Sequence, residues 1–537
     1  VILLENPFLH FYIDMNGDVI KAIIQPPYTL QASPEFGTGM NPLLYHIGMV
    51  LHPPALYLGF VGFIIPFSYA IAALITKRED DLWIRKSQKW SLLAWLFLSI
   101  GLVLGSRWAY DVLGWGGYWS WDPVEVAALL PWLTSTAYLH SSLVQEKRGF
   151  FKHWSSSLII LTFCTVILGT FLTRSGLLSS VHAFNQSAIG TYFFIFTAVM
   201  LLGSVILMGL RWSIMKTPFE LKSYFSREAL FILNNLLFIA IFLICLLGVF
   251  FPILSELFTG QQINVGPQYY KNATGPLFAV LLVVMGVVPL SAWSAKSGKN
   301  LGKTIWLPLL FSLIIPALAL LLKVDVIGAI IAFWVIGISI LLTLFDYFRS
   351  VTIHSKVNHC SAAKSAWRLV SHNRRKYGAY LIHIGVAVIG LGIIGIEFLQ
   401  SQTQVTLQQN ETVEFSGYSI TYEDLIIDES HQDREIATSV VKIISPNGAQ
   451  FTLNPERIFY YVAGQNVTKP GLRSTPLDDF YVILVDWLPI SSEGATFKVY
   501  RNPLVFWLWT GTIILVFGTL LAMWPKKTRK DHETVKI

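Results

Sequence analysis

The chain has 537 residues, of which 54% are hydrophobic and 13% charged, and its mean hydropathy is +0.56. Soluble globular proteins carry about 25% charged residues, so this composition excludes an ordinary soluble protein and indicates a membrane protein. The formal net charge of +7 could suggest nucleic-acid binding, but residues 401–500 carry −7 and the remainder carries +14, concentrated in short loops. Nucleic acid is therefore disfavoured as a partner.

Apolar runs of about 20 residues, long enough to cross a bilayer, recur along the chain and predict about eleven transmembrane helices. The predicted spans are 53–75, 88–106, 123–145, 154–173, 188–210, 228–252, 275–294, 304–323, 325–347, 378–398 and 503–524. Lysine and arginine recur in the loop after every second span, which marks those loops as cytoplasmic. We therefore expect the loops 107–122 and 174–187 and residues 399–502 on the outer, periplasmic side.

The chain opens with "VILLENPF", without an initiator methionine or a signal-peptide pattern, so we expect that upstream sequence is missing. The three cysteines form no CxxC pair, so neither a disulfide framework nor a thiol relay is predicted.

The loop 107–122 leads into the run "WGGYWSWDPVE", which concentrates tryptophans around two glycines. Such a cluster makes either an aromatic belt at the membrane interface or a platform for a flat ligand. Glycine lets a flat ligand approach the backbone closely, which favours the platform. The candidate ligand-binding residues are Trp115, Gly116, Gly117, Trp119, Trp121, Asp122 and Glu125.

The same run predicts a helix start. Asp122 is a good N-cap, Pro123 suits the first helical position, and Glu125 stands where a capping box places its carboxylate. The positive end of the helix dipole would then lie beside the tryptophans and favour an anionic group such as a propionate.

Four histidines fall at two depths in the predicted topology. His52 and His182 lie near the outer side, and the Pro53-Pro54 pair is expected to hold His52 outside regular helix. His140 and His383 lie within spans, in the inner leaflet. A single such histidine is more often a hydrogen-bonded structural residue, but pairing by depth suggests two bis-histidine haem sites. His46 remains an alternative outer ligand.

Residues 399–502 contain short alternating or β-branched runs, and Asn447-Gly448 predicts a hairpin turn. The sequence thus predicts an all-α polytopic membrane protein with one small, acidic, β-rich periplasmic domain. We divide it into a haem-handling core, 1–398, with its tryptophan loop at 107–125, the β-rich domain, 399–502, and a last helix with a basic cytoplasmic tail, 503–537.

These residues resemble a known family. "WGGYWSWDP" is similar to the WWD signature of haem-handling proteins of cytochrome c biogenesis, and four further stretches resemble its CcmF and NrfE branch: "NPLLYHIGMVLHPPALYLGF", "LGTFLTRSGLLSSVHAF", "YLIHIGVAVIGLGI" and "VYRNPLVFWLWTGTIILVFGTLLAMWP". Ser120 and Val126 depart from the pattern expected of that branch.

The resemblance implies a haem lyase subunit in the bacterial inner membrane. It implies that His52 and His182 are axial ligands of an incoming haem at the tryptophan loop, and that His140 and His383 bind a resident b haem. Arg174, in the second matched stretch, joins the candidate haem-binding residues. Implied partners are a periplasmic haem chaperone, an apocytochrome c with a CxxCH motif and other maturation subunits, with quinol as a candidate electron source.

The expected function is attachment of haem to apocytochrome c through thioether bonds, with the b haem as reductant. Two alternatives stay open, namely a haem exporter and a quinol-linked redox protein with two b haems. The chain has no CxxCH, HExxH or Walker A motif of its own, so cytochrome c, protease and ATPase readings lack support.

Overall fold

The computed structural model describes residues 10–16, 18–31, 40–175, 189–217, 223–291, 297–487 and 494–525. Their architecture is helical, with one β-rich domain inserted between the last two long helices. Ten helical segments among these described residues are long and apolar enough to cross a membrane. The predicted fold class, a polytopic helical membrane protein with a β-rich domain, is confirmed.

The helices follow the predicted spans closely. In chain order they are α1 Ile47–Gly62, α2 Ile64–Ile75, α3 Leu82–Val112, α4 Pro123–Arg148, α5 Lys152–Ser175, α6 Ile189–Leu210, α7 Arg227–Thr259, α8 Pro267–Val287, α9 Ser297–Ser312, α10 Ile314–Leu321, α11 Ile327–Val357, α12 Ala362–His372, α13 Arg374–Leu399 and α14 Val505–Met523. The short helix α12, in a segment expected to be only a basic loop, was not predicted.

Two predicted spans are each broken into two helices. The first breaks at Phe63, between α1 and α2, and the other at Leu313, between α9 and α10. Each break lies three residues before a proline, Pro66 or Pro316. Proline has no N–H, and its ring clashes with the carbonyl four residues earlier, so the regular helix is interrupted there.

The third predicted span, 123–145, forms the helix α4, but its hydropathy falls short of that of the ten described segments named above. It carries polar residues such as Thr134, Ser135 and Ser141, which are buried. Because α4 packs against α3, α5 and α7, these residues meet protein and not lipid. A hydropathy rule calibrated on lipid-facing helices undervalues such an interior helix.

Helix α13 packs against α14 through glycines spaced seven residues apart. A Cβ atom built on Gly378, Gly385 or Gly392 would lie 2.5 to 2.7 Å from backbone nitrogen atoms of α14. Small residues let two membrane helices approach this closely. The contact fixes the position of α13, which carries His383.

The strands are β1 His10–Ile13, β2 Val19–Ala22, β3 Leu30–Gln31, β4 Ser401–Gln408, β5 Thr412–Phe415, β6 Tyr418–Asp428, β7 Arg434–Ile444, β8 Gln450–Leu453, β9 Glu456–Tyr460, β10 Gln465–Lys469, β11 Gly471–Ser474, β12 Asp478–Trp487 and β13 Gly494–Pro503. The first three form a small antiparallel sheet that was not predicted.

Strands β4 to β13 form what we call the outer domain, after the side of the membrane that the charge distribution predicts for it. It consists of a six-stranded sheet, with the order β10-β9-β7-β6-β5 and β8 beside β7, and a four-stranded sheet with the order β11-β12-β13-β4. Buried side chains from both sheets form one core, which includes Ile420, Val441 and Phe497. The predicted turn is present between β7 and β8, where Gly448 has a φ of +81°.

Candidate haem-binding site

Helix α3 continues to Val112 and α4 begins at Pro123, so only residues 113–122 of the predicted loop region 107–125 join the two helices. These ten residues are called the tryptophan loop from here on. Trp119 and Trp121 meet edge to face, with ring centres 6.1 Å apart and planes at 87°. Trp121 also stacks on Tyr270 of α8, with ring centres 4.9 Å apart and planes within 7°. The two tryptophans are half-buried, so they form a fixed aromatic corner that still has accessible surface.

Trp121 is held in an unusual backbone conformation, with a φ of +60°. A bulky residue in the left-handed region stores strain that the surrounding structure must offset. Tyr270 supplies part of that support, and its ring can lie close to the backbone of α7 because Gly248 has no side chain. A Cβ atom on that glycine would lie 2.4 Å from the Tyr270 hydroxyl.

The predicted helix start is present in full at α4. Asp122 accepts a hydrogen bond from the backbone N–H of Val124 (2.8 Å), and Glu125 Oε2 accepts one from the backbone N–H of Asp122 (3.2 Å). Glu125 Oε2 also accepts bonds from the N–H and the hydroxyl of Ser120, both at 3.0 Å. These acids therefore shape the loop and the helix start.

The glycines of the loop contact protein closely. A Cβ atom on Gly116 would lie 2.7 Å from the ring of Tyr500 in the outer domain, and one on Gly117 would meet the ring of Trp115. Trp115 itself packs in a cluster with Trp108 and Val467. The space that the two glycines leave open is thus filled by protein groups: the Tyr500 ring of the outer domain lies against Gly116, and the Trp115 ring lies against Gly117.

An ion pair lies beside the loop, and a half-buried phenol lies within it. Lys271, the residue after Tyr270, pairs with Glu397 of α13 at 2.6 Å. Burial raises the pKa of Tyr118 well above its ordinary value, and the carboxylates of Glu397 and Glu125 act in the same direction. The phenol of Tyr118 therefore stays protonated and can donate a hydrogen bond.

His140 and His383 are brought together across α4 and α13. Their ring centres are 6.3 Å apart, and their planes differ by 20°. Two imidazoles that bind one metal from opposite sides, with nitrogens about 2.0 Å from it, have ring centres roughly 6 to 6.5 Å apart. The spacing therefore fits a bis-histidine site. Both side chains are half-buried and not fully enclosed.

The nitrogens of this pair also fit axial ligation. His140 Nδ1 lies 2.8 Å from the carbonyl oxygen of Thr136, the kind of contact that a metal-binding histidine makes through its other ring nitrogen. His383 Nδ1 is buried and has no hydrogen-bond partner among the described residues, an arrangement that is costly for a buried polar atom. Both features suit a pair completed by a bound group.

The surrounding helices fix this pair. The side-chain amide of Asn235 in α7 donates to the hydroxyl of Ser141 at 2.8 Å, next to His140. Arg375 of α13 pairs with Glu146 of α4 at 2.6 Å, which aligns the two helices at the end nearer the histidines. Phe231 and Phe238 of α7 flank His140, with ring centres 6.0 and 6.4 Å away.

The position of His52 corrects one expectation. It lies inside α1, which continues through Pro53 and Pro54, so the prolines do not hold it outside regular helix. Its Nδ1 lies 2.7 Å from the carbonyl oxygen of Gly101 in α3. The contact links α1 to α3, and these two helices lie directly against each other.

His46, the alternative outer ligand, has a structural role at the start of α1. Its Nδ1 accepts the backbone N–H of Gly48 at 3.1 Å, which caps the helix, and its Nε2 lies 3.7 Å from Asp111. Arg174 lies in the last turn of α5 and is half-buried. His182 falls outside the described residues, so the structure does not test its pairing with His52.

Sequence reasoning missed several residues that build the site. Tyr270 supports Trp121, and three residues from outside the loop, Tyr110, Gln400 and Asn502, form a hydrogen-bonded group that reaches the carbonyl oxygen of Gly116. Only the aromatic pair Tyr269-Tyr270, near the start of a predicted span, offered any signal. Side chains that are distant in sequence give no local pattern.

Comparison with known proteins defines the class first. Residues 8–182 match the family model described as cytochrome C assembly protein. The fold of this chain superposes on a solved structure called "Cytochrome c Heme Lyase CcmF" with a TM-score of 0.71 and 29% sequence identity. The match covers 90% of this chain and 73% of that one. The molecule is a multi-pass membrane protein of cytochrome c biogenesis.

Relatives along the full chain define the family. The sequence is 35% identical to CcmF of Pseudomonas aeruginosa over 99% of this chain and 78% of that protein, and 31% identical to CcmF of Escherichia coli over 94% and 75%. It is also 32% identical to NrfE of Haemophilus influenzae over 98% and 78%. The chain therefore belongs to the CcmF family of cytochrome c-type biogenesis proteins, which confirms the resemblance read from the sequence.

Proposed function

We propose that this protein receives haem from a periplasmic haem chaperone at the tryptophan loop and attaches it to the CxxCH motif of an apocytochrome c. The observation that carries the proposal is the aromatic corner formed by Trp119, Trp121 and Tyr270 at the start of α4. It offers ring faces and edges to a flat apolar substrate. A solved relative bears the name of a cytochrome c haem lyase, which supports the same activity.

The reaction adds a cysteine thiol across each haem vinyl group. A carbon–sulfur bond forms at one vinyl carbon, the thiol hydrogen passes to the other, and no group leaves. The contribution of the protein is positioning, because reacting atoms held at about 3 to 3.5 Å in the right orientation gain a large effective concentration. The loop would hold the ring, and the N-terminus of α4 would favour its propionates.

The axial ligands at the loop are proposed to be His52 and His182. Because Nδ1 of His52 contacts the Gly101 carbonyl, Nε2 is its nitrogen for ligation. Arg174, at the end of α5, is proposed to contribute positive charge to the same site.

We further propose that His140 and His383 are the axial ligands of a resident b haem. Their 6.3 Å ring separation and the unpartnered Nδ1 of His383 support this assignment. Such a haem would supply one-electron chemistry within the membrane, for which quinol is a candidate donor. The chain itself holds the two imidazoles in register, through the contacts of α4 with α7 and of α13 with α14.

The proposed orientation places the tryptophan loop and the outer domain in the periplasm, in the bacterial inner membrane. The charge distribution supports it, since basic residues collect in the loops on the opposite side. The acidic surface of the outer domain suits docking of partner proteins such as the chaperone, apocytochrome c and other maturation subunits.

A cellular assay tests the function directly. Covalent cytochrome c is measured by haem staining after denaturing electrophoresis, in a strain that lacks its own lyase subunit, with and without this protein. Restored covalent cytochrome c is expected. An exporter or a quinol-linked redox protein would leave the apocytochrome without covalent haem, and that result would overturn the proposal.

A further inference from the structure

The backbone carbonyl of Gly116, in the middle of the tryptophan loop, is held by the outer domain. It accepts hydrogen bonds from the side-chain amides of Asn502 at 3.1 Å and Gln400 at 3.0 Å. The Gln400 amide also donates to the side-chain oxygen of Asn502 at 2.7 Å. A carbonyl oxygen has two lone pairs, so both acceptor positions of Gly116 are taken by residues at the edges of the outer domain.

The same amide of Asn502 extends the group to the end of α3. It donates to the Tyr110 hydroxyl at 2.9 Å, and that hydroxyl donates to Asp479 of β12 at 3.1 Å. The Tyr481 hydroxyl donates to the backbone carbonyl of Tyr110 at 3.0 Å. Tyr110, Asp479, Tyr481 and Asn502 are almost completely inaccessible to solvent, so water cannot replace a lost partner here.

Shape reinforces these hydrogen bonds. Gly116 has a φ of +70°, and a Cβ atom there would lie 2.7 Å from the ring of Tyr500 on β13. Gly114 has a φ of +67°, and a Cβ atom there would lie 3.3 Å from Thr468 on β10. The loop therefore follows the surface of the outer domain at two glycines where no side chain would fit well.

We infer that Gln400 and Asn502 are positioning residues, which hold the tryptophan loop in the conformation that binds haem. The inference rests on the proposed function of the loop. Ordering a residue costs backbone conformational entropy, and residues 113–122 lack a regular helix or strand that would offset this cost. The outer domain supplies the missing contacts, so it is part of the haem site in addition to any role in docking.

Two variants test the inference in the full-length protein in detergent. Asn502→Asp keeps the side-chain shape and removes both amide donors, but it also buries a carboxylate. Gln400→Leu removes a donor at a half-buried position without adding charge, so it keeps the test informative if the first variant fails to fold. The matched control is Gln409→Leu, which removes a side-chain amide that donates to the backbone carbonyl of Glu423 at 3.0 Å inside the outer domain.

Two measurements are made on each variant. Amide hydrogen exchange across residues 113–122 reports on the loop, and titration with free haemin, followed by absorbance, reports on haem binding. A lost hydrogen bond leaves a buried acceptor unpaired, so loop exchange should rise about tenfold and haemin affinity should fall by a similar factor. The control should change neither, because its hydrogen bond lies away from the loop.

The outcomes are separable. Unchanged loop exchange in the folded variants would overturn the inference. Faster exchange with unchanged haemin affinity would also overturn it if Trp119→Ala with Trp121→Ala lowers that affinity, because the loop would then bind haem without being held. If the tryptophan variant binds haemin normally as well, the proposed function is what has failed. Faster loop exchange together with weaker haemin binding supports both.

Discussion

His140 and His383 are 243 positions apart in the sequence, yet their imidazole ring centres lie 6.3 Å apart in the folded chain. Two helices carry them, and each is fixed by separate contacts, α4 through Asn235 and α13 through its glycine contact with α14. The pair is thus a product of helix packing.

The first prediction concerns the resident haem. The purified protein should be red with a low-spin bis-histidine spectrum, and His140→Ala or His383→Ala should abolish that signal because one axial ligand is lost. Absorbance spectra of membranes and purified protein measure it. The exposed His372, on α12, offers a control, since His372→Ala should keep the spectrum. Colourless wild-type protein that still supports cytochrome assembly would contradict the assignment.

The second prediction concerns the tryptophan loop. Replacing Trp119 and Trp121 by alanine should abolish capture of the haem-loaded chaperone, since the aromatic corner is removed. The absorbance spectrum of the haem at His140 and His383 should persist. Co-purification from cells measures capture. Trp306→Ala changes a tryptophan that is 58% exposed on α9 and should leave capture intact. Normal capture by the double variant would show that the loop is not the haem platform.

The third prediction distinguishes the two outer histidines. His52→Gly should lower the yield of covalent cytochrome c severalfold, and added imidazole should restore part of it by occupying the vacated ligand position. His46→Gly should lower the stability of the protein by only a few tenths of a kcal/mol, because glycine is itself an acceptable N-cap. The yield of covalent cytochrome c should therefore be less sensitive to this change than to His52→Gly. Holocytochrome yield, with and without imidazole, gives the answer. If the yield falls more for His46→Gly than for His52→Gly, then His46 and not His52 is the outer haem ligand.

The fourth prediction is a pH dependence from Asp479. Burial raises the pKa of this carboxyl to about 6, although hydrogen bonds from Ser474 and Tyr110 and the charge of Arg107 oppose the rise, and nearby Asp478 adds to it. A carboxyl with a raised folded-state pKa binds more protons folded than unfolded. Its stabilising effect is therefore complete below about pH 4 and is lost as the pH rises through 6.

The full contribution of Asp479 to the free energy of unfolding is on the order of 3 kcal/mol. Thermal melting of the outer domain within the intact protein, measured from pH 4 to pH 7, should show a melting temperature that falls with rising pH. Asp479→Asn should flatten this dependence, because an amide does not titrate in this range. Equal slopes for wild type and variant would place the proton uptake elsewhere.

The fifth prediction concerns helix packing. Gly385→Ala should push α13 away from α14, since its Cβ atom would lie 2.7 Å from the backbone nitrogen of Leu515. Overpacking of this kind lowers the free energy of unfolding by about 1 to 3 kcal/mol. It should also perturb the absorbance spectrum of the haem at His140 and His383, because α13 carries His383. Gly203→Ala, on α6, is the control, because its Cβ atom would meet nothing within 4 Å. Thermal stability in detergent measures both.

The sequence by itself determined the features that depend on neighbouring residues. Apolar runs located the membrane helices, alternating runs located the β-rich domain, and "WDPVE" predicted the capping box that begins α4. Each of these rests on interactions within a few residues of the chain. The apolar run at 123–145 even located α4, although the hydropathy of this helix falls short of that of the other ten and its polar residues are explained only by the helices around it.

Only the tertiary structure decided which distant side chains meet. The stacking of Trp121 on Tyr270, the bond from Asn502 to Gly116 and the place of His52 within a proline-containing helix leave no local pattern. Each depends on how the helices and the outer domain pack. A single sequence, read by itself, carries no signal for contacts across hundreds of residues. Local chemistry therefore indicated what the loop is made of, whereas packing decided what holds it.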